Sequence, residues 1–172
     1  LRGGGIDYYR HTGGPGPNED LWDDDMPVHK MGYATTLFGD RAVEVITGYA
    51  KAKQPFFLSL HFTAPHWPWE APDATGEAES ERLRSQNRPL SAYDAGTQAT
   101  YRRMVEAMDT QIGRVLKTLD DQKLTNNTII IFTSDNGGER FSDTWPFTGK
   151  KQELLEGGLR IPSIISWPAR LP

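Results

Sequence analysis

An apolar run that stops abruptly in polar residues constrains the fold of this chain more than any other feature. Residues 129–132 read Ile-Ile-Ile-Phe, and the tetrapeptide Asp-Asn-Gly-Gly follows at residues 135–138. A short continuous run of β-branched residues is typical of a central strand buried on both faces. Because ligands of open α/β sheets bind outside the carboxyl ends of such strands, the polar end is a candidate site.

Hydrophobic periodicity predicts two helices. The first covers residues 35–53, with Thr36 or Asp40 as its N-cap and Pro55 beyond its end. The second covers about residues 98–123 and carries one apolar stripe opposite charged residues. The stripe comprises Val105, Met108, Ile112, Val115, Leu116 and Leu119.

Apolar runs predict three strands, at residues 56–62, 128–133 and 163–167. Residues 1–33 are predicted as loop with one short hairpin, and residues 73–98 are polar without a clear period. Strands that alternate with helices predict an α/β fold with a mixed, largely parallel sheet flanked by helices. No internal repeat occurs, and we predict a single partial domain over residues 1–172.

Composition excludes several classes of protein. A chain of 172 residues with 37% hydrophobic residues can build one globular core. The net charge of −4, spread over mixed acidic and basic residues, gives no basic face for nucleic acid or for an anionic membrane. No apolar run approaches the roughly 20 residues of a membrane-spanning helix. Cysteine is absent, so the chain contains no disulfide, zinc–thiolate site or cysteine nucleophile.

Asp135 and Asn136 are the first candidate site residues. Their carboxylate and amide oxygens are ligands that Ca²⁺ or Mg²⁺ accepts, and the two glycines that follow allow a close backbone approach. Asp-Asn-Gly-Gly is also ordinary turn chemistry, and taken alone the tetrapeptide favours a turn.

Two further segments are candidates. His66 lies between two prolines, so a stiff backbone fixes its direction; the alternative is a loop histidine packed against tryptophans. Trp67 beside it could stack on a sugar or aryl ring, or simply pack. Lys150 and Lys151 could neutralise a sulfate or phosphate oxygen, although paired lysines are usually a solvated face.

Taken in chain order, five segments resemble the sulfatase family, arylsulfatase-like enzymes of the alkaline-phosphatase superfamily. They are "GIDYY", "GYATTLFGDRAVEVI", "QPFFLSLHFTAPHWPWEAP", "YRRMVEAMDTQIGRVLKTLDDQKLTNNTIIIFTSDNGGE" and "GKKQELLEGGLRIPSIISWP". The resemblance implies an alkaline-phosphatase-like fold and a sulfuric ester hydrolase with a formylglycine nucleophile and a divalent cation. Glu156 and Arg160 fit the family's EGGxR pattern, which we interpret as scaffold.

The resemblance also implies roles for the candidate residues. Asp135 and Asn136 match the pair that binds the cation, usually Ca²⁺ with Mg²⁺ possible. His66 matches the histidine that contacts the sulfate ester and assists proton transfer. Lys151 matches the lysine placed on the ester oxygens, and Lys150 is the neighbouring alternative in that register.

Other parts of the family pattern are missing. The family makes its formylglycine from a Cys or Ser in a Cys/Ser-x-Pro-x-Arg motif upstream of "GIDYY", and we expect no such motif in this chain. A pair of metal-binding aspartates and a Gly-Lys-Trp-His segment are missing there too. We therefore expect a catalytic-domain fragment that lacks the N-terminal third, contains half a metal site and is inactive alone. We also expect self-association through the apolar surface left exposed.

Two alternatives remain open. One is a phosphonate or phosphodiester hydrolase of the same superfamily, which upstream residues would distinguish. The other is a non-catalytic remnant that acts as a binding or structural module. The resemblance makes a periplasmic or secreted setting plausible, but the chain shows no targeting signal of its own.

Overall fold

The computed structural model describes residues 7–12, 19–86 and 96–171. The chain divides into two compact units, Leu1–Gln122 and Lys123–Pro172. Helices and small sheets are both present, which confirms the α/β class. Within the described ranges, no helix has the length and apolar character needed to cross a membrane.

The first unit is organised by two long helices, α1 (Ala34–Ala52) and α3 (Gln98–Asp121), which pack against each other. Both were predicted from periodicity. The N-cap of α1 was predicted wrongly: Tyr33 occupies that position without a side-chain cap. The reason is that the Ala34 amide donates to the carbonyl oxygen of Tyr8, at 2.8 Å, so a side-chain acceptor is not needed there.

A third helix, α2 (Ala74–Gln86), lies in the stretch that we interpreted as aperiodic and polar. Its start is capped by Asp73, whose Oδ1 accepts from the amides of Thr75, at 2.8 Å, and Gly76, at 3.3 Å. Few of its side chains are buried, so capping rather than an apolar stripe marks it in the sequence. Residues 87–95 of the same polar stretch lie outside the described residues.

The predicted short hairpin is present as β1 (Trp22–Asp23) and β2 (Met26–Pro27), an antiparallel pair. The predicted strand over residues 56–62 is not in a ladder, because no other described segment pairs with it. Its alternation is nevertheless real: Phe56, Leu58, Leu60 and Phe62 are partly buried, and the side chains between them are exposed.

The second unit contains β3 (Ile130–Thr133) and β4 (Ser163–Ser166), with a single turn of 3₁₀ helix at Thr125–Asn127 and a short helix, α4 (Glu156–Leu159). The two strands pair antiparallel, with Ile131 opposite Ile165. The prediction of a central strand is wrong for the described residues, since β3 is paired on one side only. The largely parallel pairing is likewise not seen among them, because adjacent described strands run antiparallel in both sheets.

Candidate functional site

The Asp-Asn-Gly-Gly turn is held in the second unit by backbone hydrogen bonds to the segment around α4. The amide of Gly137 donates to the carbonyl oxygen of Gly158, at 2.8 Å, and the amide of Lys151 donates to the carbonyl oxygen of Gly138, at 2.7 Å. A third bond, 2.8 Å long, runs from the Gly157 amide to the carbonyl oxygen of Thr148. The turn and the lysine segment are therefore one backbone assembly.

Close backbone approach explains why glycines occupy these positions. A Cβ at Gly137 would collide with the carbonyl oxygen of Gly157, and one at Gly158 would collide with the carbonyl oxygen of Glu153. Neither obstacle is the end of a flexible side chain, so neither can move aside easily. The glycines of the Asp-Asn-Gly-Gly turn and those of the EGG pattern are therefore required for the same reason, namely the close approach of the two backbone segments.

Asp135 and Asn136 fit part of a site for a hard cation. Asp135 is exposed and Asn136 partly exposed, directly after β3, so a carboxylate and an amide oxygen are available on a fixed turn. Ca²⁺ takes six to eight oxygen ligands. The described residues contain no cluster of three or more His, Asp or Glu side chains arranged for a metal. The two residues therefore supply only part of a ligand set.

Of the two lysines, Lys151 is the better placed to interact with an anionic ligand. Its side chain is about one-fifth exposed, and its Nζ lies 3.7 Å from Glu139 Oε2, a loose ion pair. Lys150 is exposed, and its backbone amide donates to Glu153 Oε2 at 3.2 Å. A partly buried ammonium group interacts more strongly with an anion than an exposed one does, because water screens it less.

His66 is oriented by its own loop in the first unit. Its backbone amide donates to the carbonyl oxygen of Thr63, at 2.9 Å, and its ring lies 4.9 Å from that of Trp67. Its Nδ1 lies 2.6 Å from the carbonyl oxygen of Trp67. A carbonyl oxygen can only accept, so Nδ1 carries the proton and Nε2 is left to exchange a proton with a ligand.

A buried network behind this loop was not found from the sequence. The Tyr8 hydroxyl donates to the carbonyl oxygen of His66, at 2.9 Å, and the Tyr8 amide donates to Glu70 Oε2, at 2.8 Å. Asp7 is fully buried, accepts from Ser80 Oγ at 2.8 Å, and pairs with Arg10 at 2.8 Å. The signal that could have located the network is the string Asp-Tyr-Tyr-Arg, which places a carboxylate three residues before a guanidinium.

Glu70 is the electrostatically unusual member of that network. Its side chain is fully buried, and its Oε1 has no hydrogen-bond partner among the described residues. Burial, and then the nearby charge of Asp7, raise the pKa of Glu70 well above its usual range, partly opposed by the hydrogen bond from the Tyr8 amide. A neutral carboxyl at this position avoids two negative charges in one buried cluster.

The expectation that the chain has no Cys/Ser-x-Pro-x-Arg motif is wrong, because Ser-x-Pro-x-Arg occurs once, at residues 166–170, downstream of the EGG segment. Ser166 lies in β4 opposite Ile130, whereas Thr133, the residue nearest to the Asp-Asn pair, is opposite Ser163. Three residues of strand separate the two ends by roughly 10 Å. Ser166 is therefore at the wrong end of the ladder to act with a cation bound by Asp135.

The predicted site residues fall into two groups. Asp135, Asn136, Lys150 and Lys151 lie together in the second unit, linked through the Lys151–Gly138 hydrogen bond. His66 and Trp67 lie in the first unit. Arg160 pairs with Glu156 and lies over the Phe147 ring, 4.7 Å from its centroid, which supports a scaffold role for the EGGxR pattern.

Comparison with known proteins agrees with the sequence resemblance. The chain is 30% identical over 158 residues to N-acetylgalactosamine-6-sulfatase of Canis lupus familiaris, which covers 87% of this chain and 27% of that protein. It is 33% identical over 145 residues to a protein named "Sulfatase" from Formosa agariphila, which covers 79% of this chain and 25% of that protein. The chain thus spans about a quarter of the length of these curated relatives.

Solved structures and a family model agree with these relatives. The crystal structure of Ps i-CgsB in complex with k-i-k-neocarrahexaose is similar with a TM-score of 0.71 and 30% identity, over 87% of this chain and 31% of that chain. The family model described as "Sulfatase" matches residues 3–172. Because the family model matches nearly the whole of this chain, the chain belongs to the sulfatase family.

Proposed function

We propose that this chain supplies part of the active site of an enzyme that hydrolyses sulfate esters. The observation that carries the proposal is the hydrogen bond from the Lys151 amide to the Gly138 carbonyl oxygen, because it fixes the backbone of a cationic residue against the turn that bears Asp135 and Asn136. Cleavage of a sulfate ester develops negative charge on the leaving oxygen and keeps it on the sulfuryl group. A lysine and a cation at one place can neutralise that charge.

Each residue has a defined role in this proposal. Asp135 and Asn136 would hold the cation, Ca²⁺ with Mg²⁺ as the alternative, and a bound cation would stabilise charge on the sulfate oxygens. Lys151 binds the ester oxygens, with Lys150 as the alternative in the same register. His66 moves a proton through Nε2, since Nδ1 is committed to a carbonyl oxygen. A formylglycine nucleophile would also be needed, and we propose that the 172 residues without one do not hydrolyse sulfate esters.

The substrate we propose is a carbohydrate sulfate ester. One relative is named for a sulfated amino sugar, and one structural neighbour was solved with an oligosaccharide. Trp67, adjacent to His66 and partly exposed, could stack on a ring of such a substrate.

We further propose that the exposed apolar face of the β3–β4 pair, with Ile131 64% and Ile165 57% exposed, is covered by a second copy of the chain.

Calorimetric titration of Ca²⁺ into the chain tests the proposed cation ligands. We expect weak but measurable binding that Asp135→Ala abolishes, because two ligands form only part of a coordination shell. Asp109→Ala removes an exposed helical carboxylate of the other unit and is the matched control. Equal loss in both variants, or binding that survives Asp135→Ala, would exclude Asp135 as a ligand.

A further inference from the structure

A polar cavity of about 610 Å³ lies in the second unit and includes the proposed catalytic lysine in its wall. Two classes of group line it besides Gly149. The cationic and anionic side chains are those of Arg140, Lys150, Lys151, Glu139 and Glu153, which leaves the wall with a net positive charge. The uncharged polar groups are those of Ser142, Thr144 and Gln152. Hydroxyl, amide and charged groups in one cavity suit a ligand that carries many hydroxyls and a negative charge.

An exposed tryptophan stands on the loop that borders this cavity. Thr144 and Gly149, which line the cavity, are the two ends of the loop, and Trp145 between them is 83% exposed. An exposed indole ring at the edge of a polar cavity offers a ligand an aromatic face beside hydrogen-bonding groups. Aromatic faces bind the apolar faces of sugar rings while the ring hydroxyls reach polar neighbours.

The loop holds Trp145 in a fixed position. The Trp145 amide donates to Asp143 Oδ1, at 2.9 Å, and the Thr144 hydroxyl donates to the carbonyl oxygen of Gly149, at 3.0 Å, which closes the loop. The Phe147 amide donates to the carbonyl oxygen of Thr144, at 2.9 Å. Because the backbone is already ordered, a ligand that stacks on the indole loses little of its binding free energy to ordering the loop.

We propose that Trp145 and the cavity beside it bind the sugar ring adjacent to the sulfated one, so that the site prefers sulfated saccharides over small aryl sulfates. This inference rests on the proposed sulfate-ester function, since Lys151 belongs to both sites. The indole stacks on the neighbouring ring, Ser142, Thr144 and Gln152 hydrogen-bond its hydroxyls, and Arg140 attracts a further anionic group. An apolar ligand would find few partners in a wall of this composition.

The test compares two probes in the 172-residue chain. The first is a 6-O-sulfated hexosamine disaccharide and the second is phenyl sulfate, which has no second sugar ring. The chain has five tryptophans, so its ¹⁵N–¹H spectrum contains few indole signals, and Trp145→Phe identifies the one from Trp145. We expect the disaccharide to shift that signal. We also expect Trp145→Ala to weaken disaccharide binding about threefold to tenfold and to leave phenyl sulfate binding unchanged.

The outcomes of this experiment distinguish failure of the saccharide subsite from failure of the proposed sulfate-ester function. Phe57→Ala, which removes another highly exposed aromatic ring, is the control and should leave both affinities unchanged. A Trp145 signal that stays still at disaccharide saturation, or a disaccharide affinity that Trp145→Ala does not change, overturns the saccharide subsite. If phenyl sulfate still binds in that case, the proposed function stands. If neither probe binds, both proposals fail.

Discussion

The backbone amide of Lys151 donates a hydrogen bond to the carbonyl oxygen of Gly138, with 2.7 Å between nitrogen and oxygen. This bond joins a cationic segment to the turn that carries Asp135 and Asn136, although thirteen to sixteen residues separate them in sequence. It depends on the close glycine contacts that bring the Asp-Asn-Gly-Gly turn against the EGG segment. Substitutions at those glycines should therefore disturb the site without touching any of its functional side chains.

Gly158→Ala should destabilise the second unit by about 1–3 kcal/mol, because the new methyl group meets the carbonyl oxygens of Glu153 and Lys150. Denaturant unfolding, followed by amide signals of residues in that unit, measures the change. Gly48→Ala is the matched control: it lies in α1 with open space around its Cα and should gain about 0.5–1 kcal/mol. Equal effects of the two substitutions would show that the glycine contacts do not hold the turn.

The proton of neutral His66 should reside on Nδ1. Long-range ¹H–¹⁵N spectra at about pH 8 distinguish the two tautomers, because protonated and unprotonated ring nitrogens differ in chemical shift. The physical reason is the carbonyl oxygen of Trp67, 2.6 Å from Nδ1, which can accept but cannot donate. His61, whose Nε2 lies 2.7 Å from the hydroxyl of Ser59, is not constrained in this way and provides the internal comparison. Finding the His66 proton on Nε2 would contradict the hydrogen bond from Nδ1 to the Trp67 carbonyl oxygen and would leave Nε2 of the neutral ring unable to accept a proton.

Glu70 should make the stability of the first unit depend on pH. Because burial raises the pKa of Glu70 in the folded protein, the folded state favours the protonated carboxyl. The contribution of Glu70 to the free energy of unfolding is therefore fully present below the pKa that Glu70 has in the unfolded chain. It is lost as the pH rises through the pKa that Glu70 has in the folded protein. Glu70→Gln should flatten the fall in the free energy of unfolding as the pH rises above the ordinary glutamate pKa of 4.5.

The control for this prediction is Glu106→Gln, which changes an exposed carboxylate paired with Arg102 on α3. Urea midpoints at several pH values, measured for the chain and for both variants, give the comparison. Asp7, Arg10 and the hydroxyls of Tyr8 and Tyr33 surround the buried carboxyl and are unchanged in both variants. If Glu70→Gln leaves the pH dependence of the free energy of unfolding unchanged, another titratable group is responsible for that dependence.

The helices were predictable from the sequence wherever an apolar stripe was present, as in α1 and α3. Helix α2 was missed because its stabilising features are the Asp73 cap and exposed ion pairs, such as Arg82 with Glu79, rather than burial. The N-cap of α1 was predicted wrongly because its first amide is satisfied by Tyr8, a partner distant in sequence. Local patterns carry no information about such long-range hydrogen bonds.

In the candidate site, too, local sequence patterns predicted the residue types but not the contacts between residues distant in sequence. Residue types and the resemblance pointed to Asp135, Asn136 and Lys151, and the structure joins these three in one unit. The sequence could not reveal that Tyr8 and Glu70 support the His66 loop, because 58 and 62 residues separate the bonded groups. The sequence also could not reveal that the 56–62 run has no strand partner among the described residues, since alternation indicates which side chains are buried but not whether another strand pairs with the backbone.

Self-association through the β3–β4 face should depend on its exposed isoleucines. Sedimentation velocity over a range of concentrations should show association that Ile165→Lys reduces, because a charge opposite Ile131 cannot be buried in an apolar contact. Met31→Lys changes a 78% exposed residue of the other unit and should leave association unchanged. A clean monomer at every concentration would contradict the prediction.

The affinity of the chain for phenyl sulfate in the presence of Ca²⁺ tests the sulfate-ester site most directly. Lys151→Ala should weaken binding by about tenfold or more, because a charge-assisted contact to the ester oxygens is lost. Lys117→Ala, which removes an exposed lysine paired with Asp121 on α3, should leave the affinity unchanged. An affinity that is the same in the chain and in Lys151→Ala would contradict the placement of the ester beside the Asp135–Asn136 turn.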